Sequence, residues 1–157
     1  MVKNFVRLLA VCTCLLAAVI PSTASAAGGG GGGAPGVIAI SVGPTVELSG
    51  KQILTATVTV NCPVLLDPST GLPLTDNFGF LQIQEVRGNT IAHAFGNFTF
   101  ACDGLDHTVV VTALAQDHPF RRAAGVAAAS AGTCGLDPTT LAFICVNGAA
   151  IEPVAIK

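Results

Sequence analysis

Leu54-Thr55-Ala56-Thr57-Val58-Thr59-Val60-Asn61-Cys62 alternates apolar and polar residues over nine positions. Alternation of period two places Leu54, Ala56, Val58, Val60 and Cys62 on one face of a β-strand, with the threonines and Asn61 on the other. Asn97-Phe98-Thr99-Phe100-Ala101-Cys102 repeats the pattern, with Phe98, Phe100 and Cys102 on one face. Each row ends on an inward cysteine, which is the geometry that a bridge across a core requires.

The flanking sequence reads the same way. Val37–Val42, Thr45–Leu48, Phe80–Arg87, Thr90–Ala94, Thr108–Ala115, Gly125–Ala131, Leu141–Val146 and Ile151–Ile156 are further strand candidates, several rich in Val, Ile, Thr and Phe. Turn signals separate them: Ser49-Gly50, Asp67-Pro68-Ser69-Thr70-Gly71, Arg87-Gly88-Asn89, Asp103-Gly104, Asp137-Pro138 and Asn147-Gly148. Asn147-Gly148 between two apolar runs predicts a tight hairpin. Arg121–Ala131 holds six alanines. Helix propensity favours them, but Gly125 and Gly132 break a helix and small side chains suit a thin core, so this stretch is read as a strand. Short strands with turns every 8–12 residues predict an all-β fold: an antiparallel, Greek-key β-sandwich of about seven to nine strands. Its predicted core contains Leu54, Val58, Ile83, Phe98, Phe100, Val109, Val111 and Phe143. No internal repeat is apparent.

The chain has 157 residues, of which 51% are hydrophobic and 10% charged, and it lacks Trp and Tyr. That composition excludes intrinsic disorder and leaves few ionisable groups for catalysis. Lys3 and Arg7 precede an apolar run, Leu8–Ile20, which Pro21 and the small-residue site Ala24-Ser25-Ala26 end. The run spans only about 20 Å as a helix, short of the ~30 Å hydrocarbon core, so residues 1–26 are read as a secretory signal peptide. Cys12 and Cys14 lie too early in that run for lipidation. Residues 27–36, with Gly28–Gly33, form a flexible tether, and the folded domain covers 37–157. Beyond residue 26 five basic side chains stand against nine acidic ones, a formal charge of −4. The expected localisation is extracellular, with no nucleic acid and no membrane as partner. The four remaining cysteines pair in a secreted chain. The strand faces favour Cys62–Cys102 and the short turn favours Cys134–Cys145. Their spacing lacks the C-x-x-C pairs of a zinc or redox site.

Three segments carry a resemblance. Leu48-Ser49-Gly50 leads into Thr57–Cys62; Cys102-Asp103-Gly104 is followed by His107 and Val109–Val111; His118-Pro119-Phe120-Arg121 precedes the alanine run. Together, over about residues 41–131, they resemble small secreted bacterial domains of immunoglobulin-like sandwich type whose function is unknown. Thr108 and Val109 stand where an aromatic residue would follow His107, and the Cys134/Cys145 pair is an addition. The resemblance implies secretion and a sandwich, and it carries no activity. Subtilisin-inhibitor-like proteins and enediyne-binding apoproteins differ from this chain in cysteine spacing, although Val154-Ala155-Ile156 resembles the last strand of the latter.

The densest polar cluster in the sequence is Asp103, Asp106, His107, Asp117 and His118. Aspartate and histidine ligate divalent ions, so these are the candidate metal or hydrolytic residues; the competing reading is ordinary turn chemistry. None of Ser41, Ser49, Ser69 and Ser130 lies in a G-x-S-x-G motif, and Glu47, Glu85 and Glu152 are far apart for a paired-carboxylate site. His93 sits in an apolar stretch. Leu72-Pro73-Leu74-Thr75-Asp76 lacks the glycine and the tail of a cell-wall sorting signal, and Asn97-Phe98-Thr99 is a glycosylation sequon inside a predicted strand. The reading is therefore a secreted, monomeric or weakly associating, non-enzymatic binding or structural module. It needs no cofactor and presents Pro63–Asn77 to an extracellular protein or surface ligand. The alternatives are a small hydrolase or metal-dependent enzyme using the Asp103–His118 cluster, and a protease inhibitor using the 63–77 loop.

Overall fold

The structure is a computed structural model that describes residues 36–157. Residues 1–26, read above as a signal peptide, and residues 27–35 of the expected tether lie outside the described residues. Seven strands follow in chain order: β1 (Ala39–Ser49), β2 (Ile53–Asn61), β3 (Asn77–Arg87), β4 (Thr90–Phe100), β5 (Asp106–Ala115), β6 (Ala124–Leu136) and β7 (Phe143–Ile156). Alternating burial along β2 and β3 confirms period two as the organising signal.

The expected antiparallel Ig-like sandwich is not what forms. Hydrogen bonding runs β1-β2-β5-β4-β3-β6-β7 and closes on itself as a barrel. The barrel is mixed, because β1 and β7 pair in parallel through Thr45–Ala155 and Val46–Ile156. Two short seams decide the architecture. One is this parallel seam, extended by Leu48 N donating to Lys157 O at 2.7 Å. The other joins β4 to β5 through Ala94–Ala115 and Phe95–Leu114. A sandwich would leave both of these open as free edges; closure removes the unpaired strand edges that an open sheet exposes.

Three pairs of expected strands are each a single strand. Val37–Val42 and Thr45–Leu48 merge into β1, whose register shifts between Val42 and Val46. Pro44 sits in that bulge, where a missing ladder donor is tolerated. Thr90–Ala94 and Asn97–Cys102 merge into β4. Leu141–Val146 and Ile151–Ile156 merge into β7, and Asn147-Gly148 makes no turn. Gly148 is there for proximity: a Cβ on it would collide with the Ile38 carbonyl. The start of the domain runs alongside, with Ile38 N donating to Asn147 O at 2.9 Å.

Leu54, Val58, Val60, Leu81, Ile83 and Val111 are completely enclosed, together with Ala127 and Ala129 of the alanine-rich strand. Phe98 and Phe100 are buried as expected, Val109 is half-buried, and Phe143 points outward at 63% exposure. Phe143 faces Leu136 across the β6–β7 ladder, two rows from the Cys134–Cys145 pair. Phe120, in the β5–β6 connection, has no exposed surface and plugs the core from outside the strands. Phe120 N donates to Lys51 O at 2.8 Å, and Ala123 exchanges backbone bonds with Ile156. Beneath this plug lies Glu85, 1% exposed. Its carboxylate takes two bonds from Arg87, at 2.6 and 2.8 Å, and one from Arg121 N at 2.9 Å. Arg87 also donates to Pro119 O.

Candidate functional site: paired tips at one end of the barrel

Two connections leave the same end of the barrel and fold by the same rule. Asp67-Pro68-Ser69-Thr70-Gly71 follows Leu66, and Asp137-Pro138-Thr139-Thr140-Leu141 follows Leu136. Each proline opens a tight turn and lacks the amide that would compete for the aspartate. Asp67 Oδ1 accepts from Ser69 N at 2.7 Å and Thr70 N at 3.2 Å. Asp137 Oδ1 accepts from Thr139 N and Thr140 N, each at 2.8 Å. The fifth residue donates back to the aspartate carbonyl in both, Gly71 N and Leu141 N at 2.8 Å. It adopts left-handed φ, 70° and 55° respectively. Asp67 N donates to Leu72 O at 2.8 Å and Asp137 N to Ala142 O at 2.9 Å, closing each tip.

The tips are locked side by side. Leu66 and Leu136 exchange two backbone bonds of 2.9 Å, an antiparallel bridge between the two connections. Leu65 is buried, and its N donates to Cys102 O at 3.1 Å. Buried Asn77 reaches Phe100 O with its amide, at 3.2 Å, and accepts from the Thr133 hydroxyl at 2.6 Å. Both disulfides brace this end: Cys62–Cys102 just past β2 and β4, and Cys134–Cys145 across the β6–β7 ladder. What the tips show to solvent is apolar, with Leu72 64% and Leu141 65% exposed, and hydroxyls surround it.

Donor contacts hold both tip carboxylates below their ordinary range. The Ser69 hydroxyl is the main cause at Asp67, and the Thr140 amide at Asp137. A depressed carboxyl stabilises the fold above its unfolded value of 3.8 and loses that contribution as pH falls through the lower folded value. The Ser69, Thr70, Thr139 and Thr140 amide resonances are therefore expected to shift together in an NMR titration, with midpoints below 3.8. Midpoints at or above that value would contradict the turn geometry.

The candidate catalytic cluster does not assemble. Asp103, Asp106 and His107 lie at the tip end and Asp117 and His118 at the other, separated by the length of β5, about 30 Å for ten extended residues. His107 Nε2 pairs with Asp103 Oδ1 at 2.8 Å, and that bond holds the Asp103 carboxyl below its usual range. Asp106 accepts from Asn61 Nδ2 at 2.8 Å. At the opposite end, Asp117 takes His93 Nδ1 at 2.7 Å and His93 N at 2.9 Å, which hold its carboxyl far below the usual range. It also takes His118 N at 2.7 Å. Among the described residues, neither paired imidazole hydrogen-bonds to a hydroxyl or thiol, the contact through which the base of a triad activates its nucleophile. Nor do three His, Cys, Asp or Glu side chains converge there to hold a metal ion.

Two features escaped the sequence reading, and both had a signal. Glu85 occupies the inward parity after Leu81 and Ile83, with Arg87 next on the same face. The Leu-Asp-Pro-[Ser/Thr]-Thr run occurs twice, at 66–70 and 136–140. No family model matches the chain, and neither a curated protein nor a solved structure shows significant similarity to it.

Proposed function

We propose that this chain is a non-enzymatic extracellular module that binds a partner protein through the paired tips. One observation carries the reading. Two connections of matching hydrogen-bond pattern are locked together so that Leu72 and Leu141 stand in solvent on a rigid base. Exposed apolar side chains held rigid lose little entropy on binding, which is what makes effective anchors. Two disulfides favour an oxidising compartment, and among the described residues no helix is long and apolar enough to cross a membrane. The inhibitor reading is less favoured by the same geometry. A protease cleft takes an extended strand, whereas Asp67–Leu72 is folded back on itself.

The test is capture from the native extracellular medium, using the oxidised mature chain and the Leu72→Asp/Leu141→Asp variant. Each substitution puts a charge where an apolar anchor would desolvate. A partner retained by the parent and lost by the variant is the expected result. Equal capture by both, with the variant folded, would overturn the reading.

A further inference from the structure

The outward face of β4, β3, β6 and β7 carries no charged side chain, whereas Glu47 and Asp106 lie on the outward face of β1, β2 and β5. Three rows, through Phe80, Gln82 and Gln84 of β3, cross all four strands, and the β3–β4 and β6–β7 ladders each add an outward pair at either end, giving twenty outward positions. None is Asp, Glu, Lys or Arg, although the described residues carry nine acids and five bases. The face's one titratable group, His93, is already paired with Asp117. Phe80 is 63% exposed and Ile151 74%.

The relief of the face is lopsided. Phe78 and Phe80 form a ridge on β3. Beside it, Ala128, Ser130 and Gly132 of β6, with Ala149 of β7, form a trough of small side chains. Phe80 lies directly opposite Ser130 in the ladder, and Ser130 opposite Ala149.

We infer that this face is the interface of a two-fold dimer of the chain. A partner recognised by charge would need countercharges here, and there are none. A second copy carries the same net acidity, so it can approach without repulsion only through a neutral face. The area is sufficient. Four strands about 4.8 Å apart and five outward positions about 6.7 Å apart make about 600 Å² measured along the sheet. Side-chain relief brings that towards the ~800 Å² of accessible surface per partner of a stable complex. Isologous symmetry then fixes the orientation. A two-fold axis along the strands, between β3 and β6, sets each ridge into the other copy's trough. An axis across the strands would set β3 on β3 and leave each trough unfilled. The first arrangement packs two sheets face to face and leaves both pairs of tips at the same end.

Sedimentation velocity of the full mature chain tests this. The expected mass is two chains, falling to one on dilution. Phe80→Lys and Ser130→Glu, both at solvent-facing positions, are each expected to raise the dissociation constant at least about a hundredfold by burying an unpaired charge. Mixing the two variants is expected to restore a two-chain species, because the ammonium introduced in one copy then meets the carboxylate introduced in the other. A single-chain mass at the highest soluble concentration would overturn the inference. So would dimers that survive either substitution alone, or folded variants that fail to recombine.

Discussion

Arg87→Met is expected to destabilise the domain by about 3 kcal/mol or more, because it leaves a buried carboxylate without its counterion. Glu85 is 1% exposed, and Arg87 is the charge that faces it, at 2.6 Å. Arg87 is itself 24% exposed, which places the cost at the lower end of the range of about 3–5 kcal/mol for breaking a buried pair. For a domain of this size that is a fall in melting temperature of about 10 °C. The damage will not stay local. Glu85 also accepts from Arg121 N, and Arg87 donates to Pro119 O, so the pair clamps both sides of Phe120. Backbone amides from Phe120 to Ala123 are therefore expected to lose exchange protection before the barrel unfolds. The double variant Glu85→Leu/Arg87→Met removes both charges and should recover much of the loss, leaving Arg121 N without its acceptor. A single variant melting within a degree or two of the parent would show that the pair does not hold the plug.

The two disulfides are expected to differ in worth. Cys62–Cys102 closes a separation of 40 residues and joins the ends of β2 and β4, which β5 keeps apart in the ladder. In the chain-entropy model a loop of that length contributes about 4 kcal/mol. Cys134–Cys145 closes a separation of 11 residues, for which the same model gives about 3 kcal/mol. Its cysteines also face each other in a ladder that runs from Ala124–Ala155 to Leu136–Phe143, so the hairpin holds them together without the bond. Both cysteines of the first bridge are fully buried, and replacing them with alanine adds a cavity. Denaturant unfolding of Cys62→Ala/Cys102→Ala against Cys134→Ala/Cys145→Ala should thus show the larger fall in midpoint for the first. Equal midpoints would mean that loop length does not govern the contribution here.

What the sequence disclosed, and what it hid, divides by the range of the interaction. The alternation in Leu54–Cys62 set the inward face of β2, and the parity of Phe98, Phe100 and Cys102 set that of β4. Gly125 and Gly132 argued for a strand over Arg121–Ala131 against the helical propensity of its alanines, and Ala127 and Ala129 of that strand are buried. Gly148 was misleading because two different needs select glycine. A hairpin requires left-handed φ, whereas β7 requires room for the Ile38 carbonyl. The choice of barrel over sandwich rests on two pairs of residues at each seam, and no local pattern announces them. The acidic and histidine residues of 103–118 looked like one site because the chain brings them close in sequence. An extended strand between them separates them again. The tips were visible as turns, but their relation was not, because it depends on Leu66 meeting Leu136.

The parallel seam also dictates an order of events. β1 is the first strand of the domain to be made, yet its partners Ala155 and Ile156 are among the last residues. Closing so long a stretch of chain is entropically slow, and the contact brings no reward until the final strand exists. During synthesis β1 can pair with β2 alone, with its other edge bare. Completion of β7 is then the event that converts an aggregation-exposed sheet into a sealed one. Truncation near the last strand should accordingly be felt at β1, at the opposite end of the domain's sequence.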